Sequence, residues 1–332
     1  MGKPIAGAMA RAQAVKKARR RQQCRPLLPV NPQGLDAVAE QLLQSPENGL
    51  STNKSPIGMQ RDSDILLNAS RYIRRWLRGQ PAVKEESLTD WLLYDISSKS
   101  PRFRYAAFSR HTEARETGAD WEWWILFPRR SFRFRVQAKK LTRDGDVYAS
   151  LAYTNKNGLQ IDMLLASSDR ANALPFYAFY TGSPSQTMCG AQRHDEGAFL
   201  GGARRMFSDF IAPGKKQVQP AEVLRRTTPL SCLLGCPLVQ EQGDDLLRFL
   251  GSYYAEDFQG RAPSGAPQQD GHLGVYDQTP QFVTSFVQAS AEGLPEWWED
   301  EFGESIRDVK ALLVYDLRKG KRGHSSLRPA SP

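Results

Sequence analysis

Two short stretches of strict alternation hold the residues best suited to chemistry. From Trp121 to Phe127 the odd positions (Trp121, Trp123, Ile125, Phe127) are apolar, and the other face carries Asp120, Glu122 and Trp124. From Phe132 to Leu141 the pattern repeats, with Phe132, Phe134, Val136 and Ala138 on one face and Arg133, Arg135, Gln137 and Lys139 on the other. Pro128-Arg129-Arg130-Ser131 between them reads as the turn of an antiparallel hairpin. With Arg129 and Arg130 as the central turn residues, Asp120 falls opposite Lys139 and Glu122 opposite Gln137. Directly opposed residues share a face at about 5 Å between Cβ atoms, so four polar groups converge beside an aromatic face.

That set suits phosphodiester hydrolysis. A hard cation such as Mg2+ (or Mn2+) takes oxygen ligands, which Asp120 can supply together with Glu122 or the Gln137 carbonyl. The ion polarises the phosphoryl group and generates hydroxide at neutral pH. Lys139 is placed to orient the attacking water or to stabilise developing charge. Glu86, on the helix before the hairpin, is a further candidate ligand. The competing interpretation is a cross-strand Asp–Lys pair on a solvated sheet face, of the kind that contributes about 0.2 to 1 kcal/mol.

The elements that must position these groups follow from periodicity. Ile65, Leu66, Ile73, Trp76 and Leu77 recur with helical spacing from Asp62 to Leu77, and Leu88, Trp91, Leu92 and Ile96 mark a second helix over 85–97, with Glu85 and Glu86 in its first turn. A strand then runs from Phe103 to about Arg110, followed by the hairpin, a helix over 155–171 and a strand over 174–180. Helix, three strands as a meander, crossover helix and strand predict an α/β sandwich with a mixed central sheet flanked by helices. Residues 183–317 read as a mainly helical C-terminal extension, with helices near 203–211 and 243–258 and a last strand over 312–317. Residues 1–61 read as a basic arm and 318–332 as a basic tail.

The net charge of +9 is concentrated. Eight Lys or Arg precede Asp36 with no acid among them, so the rest of the chain nets only +1. Pro101 to Arg143 carries eleven bases against four acids, whereas Ala291 to Glu304 carries six acids and no base. Such an arm and such a segment attract a phosphate backbone through counterion release, and a solvated face gives the same pattern. Arg129, Arg130, Arg133, Arg135 and Lys140 are the candidate nucleic-acid contacts.

No apolar run approaches the roughly 18 residues of a membrane span. The N-terminal segment lacks a secretory apolar core, although an Arg-rich transit peptide reads the same way as a DNA-binding arm. Cytoplasmic residence is expected, in keeping with four scattered cysteines, Cys24, Cys189, Cys232 and Cys236, that form no disulfide framework. Cys189, His194, Cys232 and Cys236 can be drawn as a Cys3His zinc site stabilising a C-terminal recognition domain, or read as ordinary buried thiols and a polar loop. Gln160 suits either the active site or solvent.

Gly118-Ala119-Asp120, followed across the hairpin by Gln137-Ala138-Lys139, resembles the core of the PD-(D/E)XK nuclease superfamily, in the Gln-x-Lys variant of Mrr-like restriction endonucleases. Residues 86–93, 116–124 and 136–140 also look like an uncharacterised bacterial family assigned to that superfamily. The resemblance covers Ser87 to Gly182 and departs from the motif name at Ala119, which stands where the name has Pro. It implies metal binding by Asp120 and Gln137, a catalytic lysine at Lys139, an acidic contribution from Glu86, and a role in restriction of, or defence against, foreign DNA. The expectation is a Mg-dependent endonuclease acting on DNA, with RNA as an alternative substrate. The other reading is a catalytically inactive nucleic-acid-binding or interaction protein on the same fold. Oligomeric state is open, a dimer included.

Overall fold

The computed structural model describes residues 57–108, 117–140, 149–183, 186–189, 195–215, 218–236, 245–258, 272–289, 294, 296–306 and 310–318. The chain divides after Thr52, and all of these residues belong to the second unit, Asn53–Pro332. The basic arm up to Pro56 and the tail from residue 319 lie outside the described residues.

Helix α1, Ile57–Gly79, extends the predicted 62–77 at both ends and buries Leu66, Ala69, Ile73 and Leu77. Helix α2, Glu85–Lys99, buries Leu88, Thr89, Leu92, Leu93 and Ile96, and packs against α1. Strand β1 is Phe103–Ala107, β2 is Trp121–Leu126 and β3 is Ser131–Lys140. A two-stranded ribbon, Thr154–Asn155 with Gly158–Leu159, takes the start of the predicted crossover helix, so α3 is Gln160–Arg170. Strand β4, Leu174–Tyr180, is buried along its whole length.

Beyond it come β5 (Ala198–Gly202), α4 (Ala203–Met206) continuing into a π turn, α5 (Pro220–Leu224) and β6 (Thr227–Pro229). Then follow α6 (Cys232–Gly235), α7 (Asp245–Tyr253), α8 (Ala255–Phe258), β7 (Val275–Tyr276), α9 (Gln281–Gln288), α10 (Glu296–Ile306) and β8 (Ala311–Asp316). Among the described residues no helix is long and apolar enough to cross a membrane.

The described strands β1 to β8 make one eight-stranded mixed sheet in the order β1-β8-β2-β3-β4-β5-β6, with β7 paired to β3. Alternation along the central strands feeds two apolar layers. Trp121, Trp123, Ile125, Phe134, Val136 and Phe176 meet the stripes of α1, α2 and α7 on one side. Trp124, Leu126, Tyr177 and Phe179 meet α3, α9 and α10 on the other. The result is the expected α/β sandwich, a mixed sheet covered by helices on both faces.

The topology corrects the predicted meander. Strand β8 lies between β1 and β2, antiparallel to the first and parallel to the second. Its sequence, Ala-Leu-Leu-Val-Tyr-Asp, is buried at every position, as a strand covered on both faces requires. Strands β5 to β8 all come from residues 183–317, so that segment completes the central sheet and is not an extension beside it.

The hairpin register is also corrected. Trp121 pairs with Val136 and Glu122 with Arg135, two residues away from the predicted pairing. Leu126 pairs with Ser131, and the Phe127 N–H donates to the Arg130 carbonyl at 2.9 Å, so the central turn residues are Pro128 and Arg129. Proline presets the φ that a turn needs, which favours this centre over Arg129-Arg130.

The register carries a buried charge cluster. Glu122 is fully buried and bound by Arg133 at 2.8 Å, Arg135 at 3.4 Å and the Trp124 indole N–H at 2.7 Å. Burial pushes its carboxyl pKa up, but the two guanidiniums outweigh that and hold it below the ordinary value. Arg133 and Arg135 also cap the carbonyls of Ala171 (2.6 Å) and Ser167 (3.2 Å), which ties the hairpin to the end of α3. Around Glu122 this face is therefore interior, against the competing interpretation of a solvated sheet face. Glu122→Gln keeps the shape but removes the carboxylate that the two buried guanidiniums share, and should cost about 3 to 5 kcal/mol. Urea unfolding at pH 7 measures this, and unchanged stability would show that the charge does not hold the register.

Candidate functional site

Asp120 ends the loop that enters β2, and both flanking strands hold its backbone. Its N–H donates to the Val136 carbonyl at 2.8 Å and its carbonyl accepts from the Lys310 N–H at 3.2 Å. Gly118, two residues earlier, has φ +72°, and a Cβ there would stand 2.6 Å from the Gln160 carbonyl oxygen. Glycine is thus required both for the left-handed conformation and for the close approach of α3. The observed register sets Asp120 beside Gln137, and Lys139 is the next residue on that face of β3.

The side chains form one directed chain of hydrogen bonds. The Lys139 ammonium donates to Gln160 Oε1 at 2.6 Å, Gln160 Nε2 donates to Gln137 Oε1 at 2.9 Å, and Gln137 Nε2 donates to Asp120 Oδ2. An ammonium can only donate and a carboxylate can only accept, so the two ends fix which way both amides point. The Ala138 N–H adds a 2.8 Å bond to Asp120 Oδ2, and Lys310 Nζ lies 2.6 Å from Asp120 Oδ1. Gln137 and Lys139 are buried, and Asp120 keeps 15% of its side chain exposed, so the set opens at the carboxylate.

Glu85, the first residue of α2, completes the site. Its Oε2 accepts from the Lys140 N–H at 2.5 Å. Burial drives its carboxyl pKa up to about 7; Lys139 and the Lys140 N–H oppose the rise, and Asp120 and Glu86 add to it. Lys139 is shifted down, chiefly by burial, against the pull of Glu85 and Asp120. Lys310 is shifted up, because Asp120 outweighs its burial. Two carboxylates and two ammoniums therefore share one partly buried place, with Glu85 near half-protonated at neutral pH.

Of the sequence candidates, the structure brings Asp120, Gln137 and Lys139 together and settles Gln160 into the same network. Glu122 belongs to the interior cluster with Arg133 and Arg135, so none of these three faces a nucleic acid at the surface. Lys140 Nζ is bound to the carbonyls of Pro81 (3.1 Å) and Val83 (2.5 Å), an anchor for the α1–α2 connection. Arg129 is exposed and Arg130 half-buried at the hairpin turn.

Glu86 is exposed, one residue away from the position that faces the site. The signal for Glu85 was present: extending the buried stripe Ile96, Leu92, Thr89, Leu88 back by one turn lands on residue 85, about 100° round the helix from 86. Lys310 had no comparable signal, because its role depends on where β8 enters the sheet. His194 lies outside the described residues. Asp195 pairs with Arg71 at 2.5 Å, and Glu196 is buried and accepts from the Ser231 hydroxyl at 2.9 Å.

Fold and site together define an α/β sandwich protein with a carboxylate, amide and lysine site at the mouth of β2 and β3. Within that class the chain belongs to a family of unknown function, DUF6615, whose model matches residues 63–316 and so spans every site residue named here. No curated protein and no solved structure matches the chain.

The Glu85 shift has a measurable consequence. Its proton is held more tightly in the folded state, so the stability it contributes is present below about pH 4.5 and is lost as pH rises through about 7. Glu85→Gln mimics the protonated form. Its melting temperature should match wild type near pH 4 and exceed it at pH 8, by a free energy of at most about 3 kcal/mol before solvent screening is discounted. Asp257, also raised to about 7 by burial, contributes a similar slope to both proteins, so the difference between them isolates Glu85. Parallel melting curves in chelator-treated buffer across that range would refute the assignment.

Proposed function

We propose that the protein is a metal-dependent nuclease that hydrolyses phosphodiester bonds in DNA. The observation that carries this reading is the convergence of Asp120, Gln137 and Lys139 with Glu85 from the preceding helix. Two carboxylates and an amide oxygen are hard donors of the kind Mg2+ or Mn2+ takes, and a carboxyl raised to about 7 is one that added positive charge would bring back to its ionised form. Asp120, Glu85 and Gln137 would hold the ion, which when bound supplies Lewis-acid activation of the phosphoryl group and of water.

The chain's own residues then have separable roles. Lys139, buried and desolvated, offers a positive charge at the place where a phosphorane gains negative charge. In the hydrogen-bonded chain Gln160 orients Lys139 and, through Gln137, the Asp120 carboxylate. Lys310 neutralises Asp120 and can turn to a phosphate oxygen when another cation takes that place. The exposed Arg129 is the candidate backbone contact that remains on the hairpin. Restriction of foreign DNA is the role that the sequence resemblance implies for such an activity.

One observation favours the second reading, a nucleic-acid-binding or interaction protein without catalysis. Both Asp120 oxygens already have partners, Oδ1 with Lys310 and Oδ2 with Gln137 and Ala138, an arrangement complete in itself.

Lys139→Ala separates the two readings. Nuclease-free wild-type protein incubated with Mg2+ or Mn2+ and plasmid, linear or single-stranded DNA should cut at least one of them, and the variant should be about 100- to 1,000-fold slower, the usual loss for one electrostatic stabiliser. RNA run in parallel reports on the alternative substrate. Absence of cutting by the wild type on every substrate, or equal cutting by the variant, would sink the nuclease reading.

A further inference from the structure

On the α1 side of the sheet, away from the polar site, three cysteines meet. Cys189 ends the described segment 186–189, which is held to β6 by the bond from the Met188 N–H to the Thr227 carbonyl at 2.8 Å. Cys232 opens the single turn of α6 and Cys236 follows it. Cys189 Sγ lies 3.6 Å from Cys232 Sγ and 3.7 Å from Cys236 Sγ, and all three sulfurs fall within 4.8 Å of one another. No disulfide joins them, since their separations far exceed the roughly 2.05 Å of an S–S bond.

These separations have a chemical meaning. A tetrahedral Zn2+ with Zn–S bonds of about 2.3 Å sets its sulfurs about 3.8 Å apart, within about 0.2 Å of the two separations here. Thiols acting only as small hydrophobes have no reason to face one another across one point, and the surrounding apolar layer of Leu, Phe and Tyr side chains offers them many other partners. The Tyr253 hydroxyl, 3.9 Å from Cys236 Sγ, adds an oxygen to the cluster. Cys189, Cys232 and Cys236 are all buried, away from any solvent-borne substrate, which suits a structural zinc and not a catalytic one.

We propose that Cys189, Cys232 and Cys236 bind one structural Zn2+, with the Tyr253 hydroxyl oxygen closing the fourth position. Binding converts three thiols to thiolates and releases three protons, giving a zinc–thiolate group of net charge −1. The ion ties segment 186–189 to the turn after β6, and that turn packs under α1, where the Ser63 hydroxyl donates to the Ser231 carbonyl at 3.2 Å. Helix α1 in turn leads to the Pro81–Val83 connection that Lys140 anchors beside the polar site. The zinc therefore supports the helical layer that presents Glu85, and is not the centre of a separate recognition domain.

Elemental analysis of full-length protein, purified without chelator from zinc-replete culture, should find one zinc per chain. Cys232→Ser should lose it. Because that variant can fail to fold, wild-type protein stripped of metal under reducing conditions provides a second measurement. Adding Co2+ should produce a near-ultraviolet thiolate-to-metal charge-transfer band, and adding Zn2+ at about a hundredfold excess over its dissociation constant should raise the melting temperature by about 5 to 10 °C. Trace zinc in the purified protein, with neither a charge-transfer band nor a melting shift in the stripped one, would overturn the proposal. So would stoichiometric zinc that Cys232→Ser retains.

Discussion

Everything at the polar site depends on a carboxylate that never reaches it. Glu122, sealed in the layer beneath β2 and β3, is bound by Arg133 and Arg135 from the facing strand and by the Trp124 indole from its own. A slip of the hairpin by two residues would part Glu122 from the two arginines inside an apolar environment, where an unpaired charge is far costlier than any turn preference. The cluster therefore fixes the register. With the register fixed, Asp120 must stand beside Gln137, because side chains on one face of paired strands have no freedom to choose other neighbours. The same two arginines cap carbonyls at the end of α3, so the helix bearing Gln160 is positioned by the interaction that aligns the strands.

The second constraint is the late strand. Strand β8 comes from the far end of the described chain yet lies between β1 and β2. It brings Lys310 to Asp120 across most of the domain's length, and it buries Leu312 and Val314 in one apolar layer and Leu313 and Tyr315 in the other. A sheet closed in this way cannot complete its centre until its last strand is in place. The site's residues, from Glu85 to Lys310, are accordingly assembled by non-local contacts whose loop-closure entropy is offset by the two apolar layers.

Within the site, direction matters as much as proximity. The run from Lys139 through Gln160 and Gln137 to Asp120 has a fixed polarity because its ends are a pure donor and a pure acceptor. Turning the Gln137 oxygen toward Asp120, as ligation of a shared cation would need, reverses both amides and releases Lys139 from Gln160. A cation at Asp120 and the freedom of Lys139 are thereby coupled through two neutral side chains. That coupling gives the glutamine, in place of a second acid, a physical role in the proposed chemistry: it transmits orientation where a carboxylate would only add charge.

The layers and the participants are legible in the sequence. Alternation at Trp121–Phe127 and Phe132–Lys140 identified two strands and their faces, helical stripes identified α1 and α2, and the order of elements gave a mixed sheet between helices, because periods of two and 3.6 are local properties of the backbone. Asp120, Gln137 and Lys139 were legible for the same reason. Which of them touch follows from long-range packing, which moves the register by two residues, places Glu85 and not Glu86 at the site, turns Arg133 and Arg135 inward, and threads β8 beside β2 to deliver Lys310. Those outcomes rest on the cost of burying charge without a partner and on contacts between distant segments. Neither quantity is written in the periodicity of a single stretch of chain.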